Sequence, residues 1–101
     1  MKYKIIKSPS KDTLDMLISR MGANKIESIV CTDAVGLVQG MMIDMVCAAD
    51  IAEKAVGVIV RDIRGSCPQN MIMIAIFGDT ASVESAIQEI KGNLEKEKEL
   101  C

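Results

Sequence analysis

The 101-residue chain has no histidine and no tryptophan, and Tyr3 and Phe77 are its only aromatic residues. Without histidine, it lacks the side chain that most often acts as a general base near neutral pH. With a net charge of −2 and two aromatic residues, it offers neither a basic surface nor stacking platforms for nucleic acid. These absences argue against an enzyme and against a nucleic-acid-binding protein.

Long apolar runs are also missing. No stretch approaches the ~20 apolar residues that cross a bilayer. The N-terminal lysines are followed by polar residues and Pro9, where a signal peptide would need its apolar region. We therefore expect a cytosolic, single-domain protein with no membrane partner. Aliphatic residues and eight methionines must build its core, and so much aliphatic surface on a short chain suggests burial between subunits.

The four cysteines, at 31, 47, 67 and 101, include no Cys-x-x-Cys pair. In the absence of histidine, this spacing argues against a zinc site within one chain. A reducing cytosol also disfavours disulfides. Cys47 lies among Val46, Ala48 and Ala49 and is expected to be a packed or interface residue, whereas Cys67 lies in a polar loop.

Hydrophobic periodicity predicts seven secondary-structure elements. They are a strand at 2–7, a helix from Lys11 to Gly22 capped by Ser10, a strand at 26–31, a helix from 32–33 to about Ala52, strands at 56–63 and 70–77, and a helix that starts near 78–80. The order β-α-β-α-β-β-α predicts an α/β fold: a four-stranded, largely antiparallel sheet with the helices packed on one face. The second helix is apolar nearly all round, which is typical of a helix buried on several sides. Residues 95–101 read as a charged C-terminal tail.

The segment 64–70 differs most from its surroundings in composition, because it is a polar stretch between two apolar runs. A glycine gives the backbone freedom there and a proline fixes a turn, so the segment predicts a stiff loop that presents one thiol. Its candidate binding residues are Arg64, Gly65, Ser66, Cys67, Pro68 and Gln69. A lone cysteine is most often an idle thiol, so the loop alone does not establish a metal site.

Three segments resemble the bacterial microcompartment (BMC) shell domain. They are Gly36-Leu37-Val38 at the opening of the long predicted helix, Cys47-Ala48-Ala49-Asp50 in place of Lys-Ala-Ala-(Asn/Asp), and the Gly-Asp-x-x-(Ala/Ser)-Val match at 78–83. The resemblance implies a non-enzymatic homohexamer that tiles with other shell proteins into a microcompartment shell. The strand and helix at 2–22 resemble the circularly permuted branch of the family. Cys47 replaces the lysine that typically pairs hexamers edge to edge, which leaves open whether the chain tiles alone.

The loop at 64–70 lies where this family places the central pore. Gly-Ser-Cys-Pro-Gln at 65–69 resembles the pore motif of GrpU-type shell proteins, which belong to compartments that enclose glycyl-radical enzymes. That resemblance implies an iron–sulfur cluster, most simply [4Fe–4S], with Cys67 as the metal ligand from each chain. Arg64, and also Arg61, would offset the negative charge of the cluster, although an ordinary salt bridge between subunits stays open as the role of either arginine. The amides of Gly65 and Ser66 would face the sulfur atoms of the cluster.

Other interpretations of the loop stay open. A cluster-free pore lined by Cys67 and Gln69 would pass a small metabolite, and a thiolate at Cys67-Pro68 can also ligate haem. The whole chain could instead be a small ferredoxin-like, ligand-binding regulatory domain, which would be monomeric or dimeric. If a cluster is bound, its role is open as well: it would pass electrons across the shell, plug the pore, or exchange between the assembly and an enzyme.

Overall fold

The computed structural model describes residues 1–21, 32–64 and 71–94. Its elements in chain order are β1 (Lys2–Lys7), α1 (Lys11–Ser19), β2 (Ala34–Met41), α2 (Met42–Glu53), β3 (Val58–Ile63), β4 (Met71–Gly78) and α3 (Thr80–Leu94). All strand pairs are antiparallel, and the sheet order is β1-β2-β4-β3. The predicted element order and the mixed α/β class are confirmed.

The first helix begins where the sequence predicts. The Ser10 side chain accepts a hydrogen bond from the backbone N–H of Thr13 and caps α1. The helix ends at Ser19, and Gly22, the predicted end, lies outside the described residues. Leu14 and Leu17, from the predicted apolar stripe, are buried.

The prediction of one long helix from 32–33 to about Ala52 is wrong in its first half. Ala34–Met41 forms β2, so Gly36-Leu37-Val38 lies in a strand rather than at the opening of a helix. β2 is a central strand, covered on both faces, and such strands are apolar throughout instead of alternating. Periodicity cannot separate a run of this kind from a buried helix. The strand predicted at 26–31 lies outside the described residues.

Two hydrophobic clusters lie on opposite faces of the sheet. On one face, α2 and α3 pack against alternate strand residues such as Val38 and Ile76. On the other, α1 packs against the intervening residues, including Val35 and Phe77. The prediction that the helices share one face therefore holds for α2 and α3 and is wrong for α1. An amphipathic stripe shows which side of a helix is buried, but it does not show which face of a sheet receives it.

Candidate functional site

The predicted pore loop joins β3 to β4 at one end of the sheet. The two strands pair up to Ile63 opposite Met73, and Arg64 is the first residue of the loop and the only one of its residues that the structure describes. The side chain of Arg64 is exposed. The other predicted site residues lie outside the described part of the chain, and their roles stay predictions: Gly65, Ser66, Cys67, Pro68 and Gln69.

The base of this loop is attached to the end of α1. The backbone N–H of Arg64 donates a hydrogen bond to the carbonyl oxygen of Arg20 over 2.9 Å. Met21, the next residue, belongs to the same buried cluster as Ile63, the last residue of β3. Sequence reasoning did not identify Arg20, because a backbone carbonyl that accepts a bond over 44 positions leaves no mark in a side-chain pattern.

Positive charge is available at the base of the loop. The side chains of Arg20 and Arg64 are exposed, and the ion pairs described for this structure involve neither of them. Arg61 differs, because its Nη1 donates to the carbonyl oxygen of Val60 over 2.7 Å. Its Nε is buried and has no hydrogen-bond acceptor among the described residues. Arg64 is therefore better suited than Arg61 to offset a nearby negative charge.

An apolar surface lies at the same end of the sheet. Met41, the last residue of β2, pairs with Met71, the first residue after the loop. The helix α2 begins at the next residue, Met42. A shallow groove of about 490 Å³ is lined by Met41, Met42, Ile43 and Val46, which we call the α2 patch. Ile43 is 81% exposed and Val46 65%. The expectation that this helix is buried on several sides is thus not met within one chain, and patches of this kind mark surfaces that contact another molecule.

Cys47 is half-buried on α2 and disulfide-bonded, so the expectation that disulfides are disfavoured is wrong for this residue. Linear spacing carries no information about which thiols meet in the folded chain. The other cysteines, at 31, 67 and 101, lie outside the described residues. Within residues 1–21, 32–64 and 71–94, no group of His, Cys, Asp and Glu side chains is arranged to hold a metal ion.

The segment 78–83 forms the start of α3, as the family resemblance implies. Asp79 precedes the helix, and its carboxylate accepts hydrogen bonds from the Ser82 hydroxyl at 2.6 Å and the Ser82 amide at 3.1 Å. These bonds, chiefly the one from the hydroxyl, lower the pKa of the Asp79 carboxyl. This is a helix cap at the sheet end remote from the loop, and its role is structural.

No helix in the described ranges is both long enough and apolar enough to span a bilayer. The described elements attached to the base of the loop are the hairpin of β3 and β4 and the end of α1, and α2 begins at the same end of the sheet.

Comparison with known proteins identifies the family. The BMC domain model matches residues 34–101, and no curated protein matches the chain. The ligand-free structure of the GrpU microcompartment shell protein from Clostridiales bacterium 1_7_47FAA is similar, with 56% identity, a TM-score of 0.73, and coverage of 96% of this chain and 94% of that one. The ligand-free GrpU shell protein structure from Pectobacterium wasabiae shows 34% identity, a TM-score of 0.69, and coverage of 89% of this chain and 99% of that one. The chain belongs to the BMC domain family and is a structural microcompartment shell protein of the GrpU type rather than an enzyme, as its sequence predicts.

Proposed function

We propose that this shell protein forms a homohexamer whose central pore, at 64–70, binds an iron–sulfur cluster through Cys67 of several chains. The observation that carries this proposal is the position of the loop. The loop leaves the sheet at the end where the exposed α2 patch also lies, and the exposed side chain of Arg64, at its base, makes no ion pair with another described residue. Contact between subunits through the patch would bring the loops of neighbouring chains toward one another.

The donor set fits a ring and does not fit a single chain. One loop carries one cysteine, and the described part of the chain adds no metal-binding group. Iron–sulfur clusters are commonly held by about four thiolates. A ring supplies copies of Cys67 around its axis, but a hexamer has more of them than such a cluster needs. We therefore expect only some chains to act as ligands.

The remaining loop residues have supporting roles in this proposal. The bound cluster would supply one-electron redox chemistry. Arg64 would lower the cost of placing negative charge in the pore, and the Gly65 and Ser66 amides would donate to sulfur. Pro68 has no amide hydrogen and would stiffen the loop, while Gln69 would line the opening.

We further propose that β1 and α1 are the elements moved by circular permutation. Both precede residue 34, where the match to the family model begins. The assembled ring would then pack with other shell proteins in a cytoplasmic microcompartment. Its enclosed glycyl-radical enzyme would be an indirect partner.

Anaerobic reconstitution of the fully reduced protein with iron and sulfide tests the ligand assignment, because every cysteine is then a free thiol. The unaltered protein and the variants C67S, C31S and C101S are compared for bound iron and sulfide per chain. We expect C67S to lose the cluster and the other two variants to retain it. If C67S binds as much cluster as the unaltered protein, Cys67 is not the ligand.

The same preparation separates the proposal from a cluster-free metabolite pore. Hexamers that stay colourless when prepared without oxygen would favour that alternative. A haem-thiolate site would instead give an absorbance spectrum unlike that of an iron–sulfur protein.

A further inference from the structure

Among the helices of the described ranges, α1 is the only one that packs on its face of the sheet. Its buried residues Leu14 and Leu17 pack with Val35, Ala75 and Phe77, on the side opposite α2 and α3. A helix of nine residues is marginally stable in water by itself, so this packing holds α1 in place. The helix also lies outside the region that matches the family model.

Two attachments connect the end of α1 to the end of β3. The Met21 side chain is 4% exposed and lies in one cluster with Ile63, which is also 4% exposed. The Arg20 carbonyl accepts the Arg64 amide hydrogen immediately beyond the last strand pair, Ile63 with Met73. The end of α1 therefore restrains the backbone at Arg64, one residue beyond the last pair between β3 and β4.

We infer that Arg20 and Met21 are positioning residues for the pore loop: they fix the direction in which the chain leaves β3 toward residue 65. A residue beyond the end of a strand otherwise retains backbone freedom that binding must remove. Metal-binding groups have to be held within ~0.5 Å of a productive arrangement, so restraint at the base of the loop affects the site at its tip. This link to the cluster rests on the proposed function, whereas the restraint on residue 64 does not.

Amide hydrogen exchange tests the restraint without any cluster. We expect M21A to speed exchange of the Arg64 amide by about tenfold or more, because loosening the end of α1 opens its hydrogen bond. In M21L, which keeps a large apolar side chain, the Arg64 amide should still exchange slowly. M16A, at a 55%-exposed position on the same helix, should not alter the exchange rate of that amide. Slow exchange at Ile74 and Ile76 in every variant shows that the sheet is intact. An Arg64 amide that exchanges equally fast in M21A and in the unaltered protein overturns the inference.

A second pair of variants tests the consequence for metal binding. R64A removes the guanidinium but keeps the amide hydrogen, whereas R64P removes both. After anaerobic reconstitution of rings of equal size, we expect R64P to hold at least about fivefold less iron than R64A, since it alone lacks the bond to Arg20. Equal iron in the two variants would show that the bond does not position the site. If the unaltered protein binds no iron, the proposed function fails, and hydrogen exchange still decides the positioning role.

Discussion

Gly36 of β2 lies directly against Ile87 of α3. A Cβ atom at residue 36 would be 2.8 Å from Ile87 Cδ1 and 3.0 Å from Val83 Cγ1. Both contacts are closer than real Cβ atoms ordinarily make, so glycine here allows α3 to approach the sheet. Gly36, which the sequence predicts at the start of a helix, is thus needed for the packing of α3 against β2.

The first prediction concerns this contact. G36A should destabilise the protein by about 1–3 kcal/mol, because the added methyl group overpacks the core. I87V removes Cδ1 and should recover part of that loss in the double variant. G92A is the matched control, since a Cβ atom at Gly92 meets nothing within 4 Å. Replacing a glycine within a helix by alanine should stabilise by about 0.5–1 kcal/mol. Urea unfolding measures all four proteins, and a G36A variant as stable as the parent would contradict the packing.

The second prediction tests the placement of α1. Leu17 is 3% exposed and Met16, the neighbouring residue, is 55% exposed. L17A should lower the free energy of unfolding by about 2–5 kcal/mol, because it leaves a cavity against the sheet. M16A should change it by less than about 0.5 kcal/mol. Equal effects of the two substitutions in denaturant unfolding would show that α1 does not pack as described.

The third prediction concerns the pKa of Asp79. The hydroxyl of Ser82 stabilises the Asp79 carboxylate, so the carboxyl pKa is lower in the folded chain than in the unfolded one. The resulting stabilisation is complete above the unfolded-state pKa and is lost as pH falls through the folded-state pKa. Carbon NMR titration should show that S82A raises the pKa of Asp79, whereas S85A, an exposed change on the same helix, leaves it unchanged. An Asp79 pKa that S82A does not move would disprove the assigned cause.

The fourth prediction tests the α2 patch as a subunit interface. I43K places a charge at an 81%-exposed position, so it should alter the stability of the isolated chain by less than about 0.5 kcal/mol. If a neighbouring subunit covers the patch, the buried charge should dissociate the ring into single chains. Sizing chromatography measures this, with M16K as the control on an exposed site of α1. An I43K variant that assembles like the parent would remove the patch from the interface.

The sequence predicted the features that depend on local patterns. Leu14 and Leu17 mark the buried side of α1, Ser10 marks its start, and the glycine and proline near Cys67 mark the break between two strands. The sequence pattern predicted a helix at Ala34–Met41, where the structure has a strand, because burial on both faces removes the alternation that identifies a strand. The opposite placement of α1, the Cys47 disulfide and the bond between Arg20 and Arg64 depend on tertiary structure, for which no single side chain gives a signal.

Native mass spectrometry of protein purified without oxygen tests the central claim most directly, because one measurement counts both the chains and the cluster. We predict a hexamer of 10.9-kDa chains that carries the additional mass of one iron–sulfur cluster. The C67S protein should give the same hexamer without that mass. A bare hexamer from the unaltered protein, or only monomers and dimers, would contradict the claim that the ring creates the site.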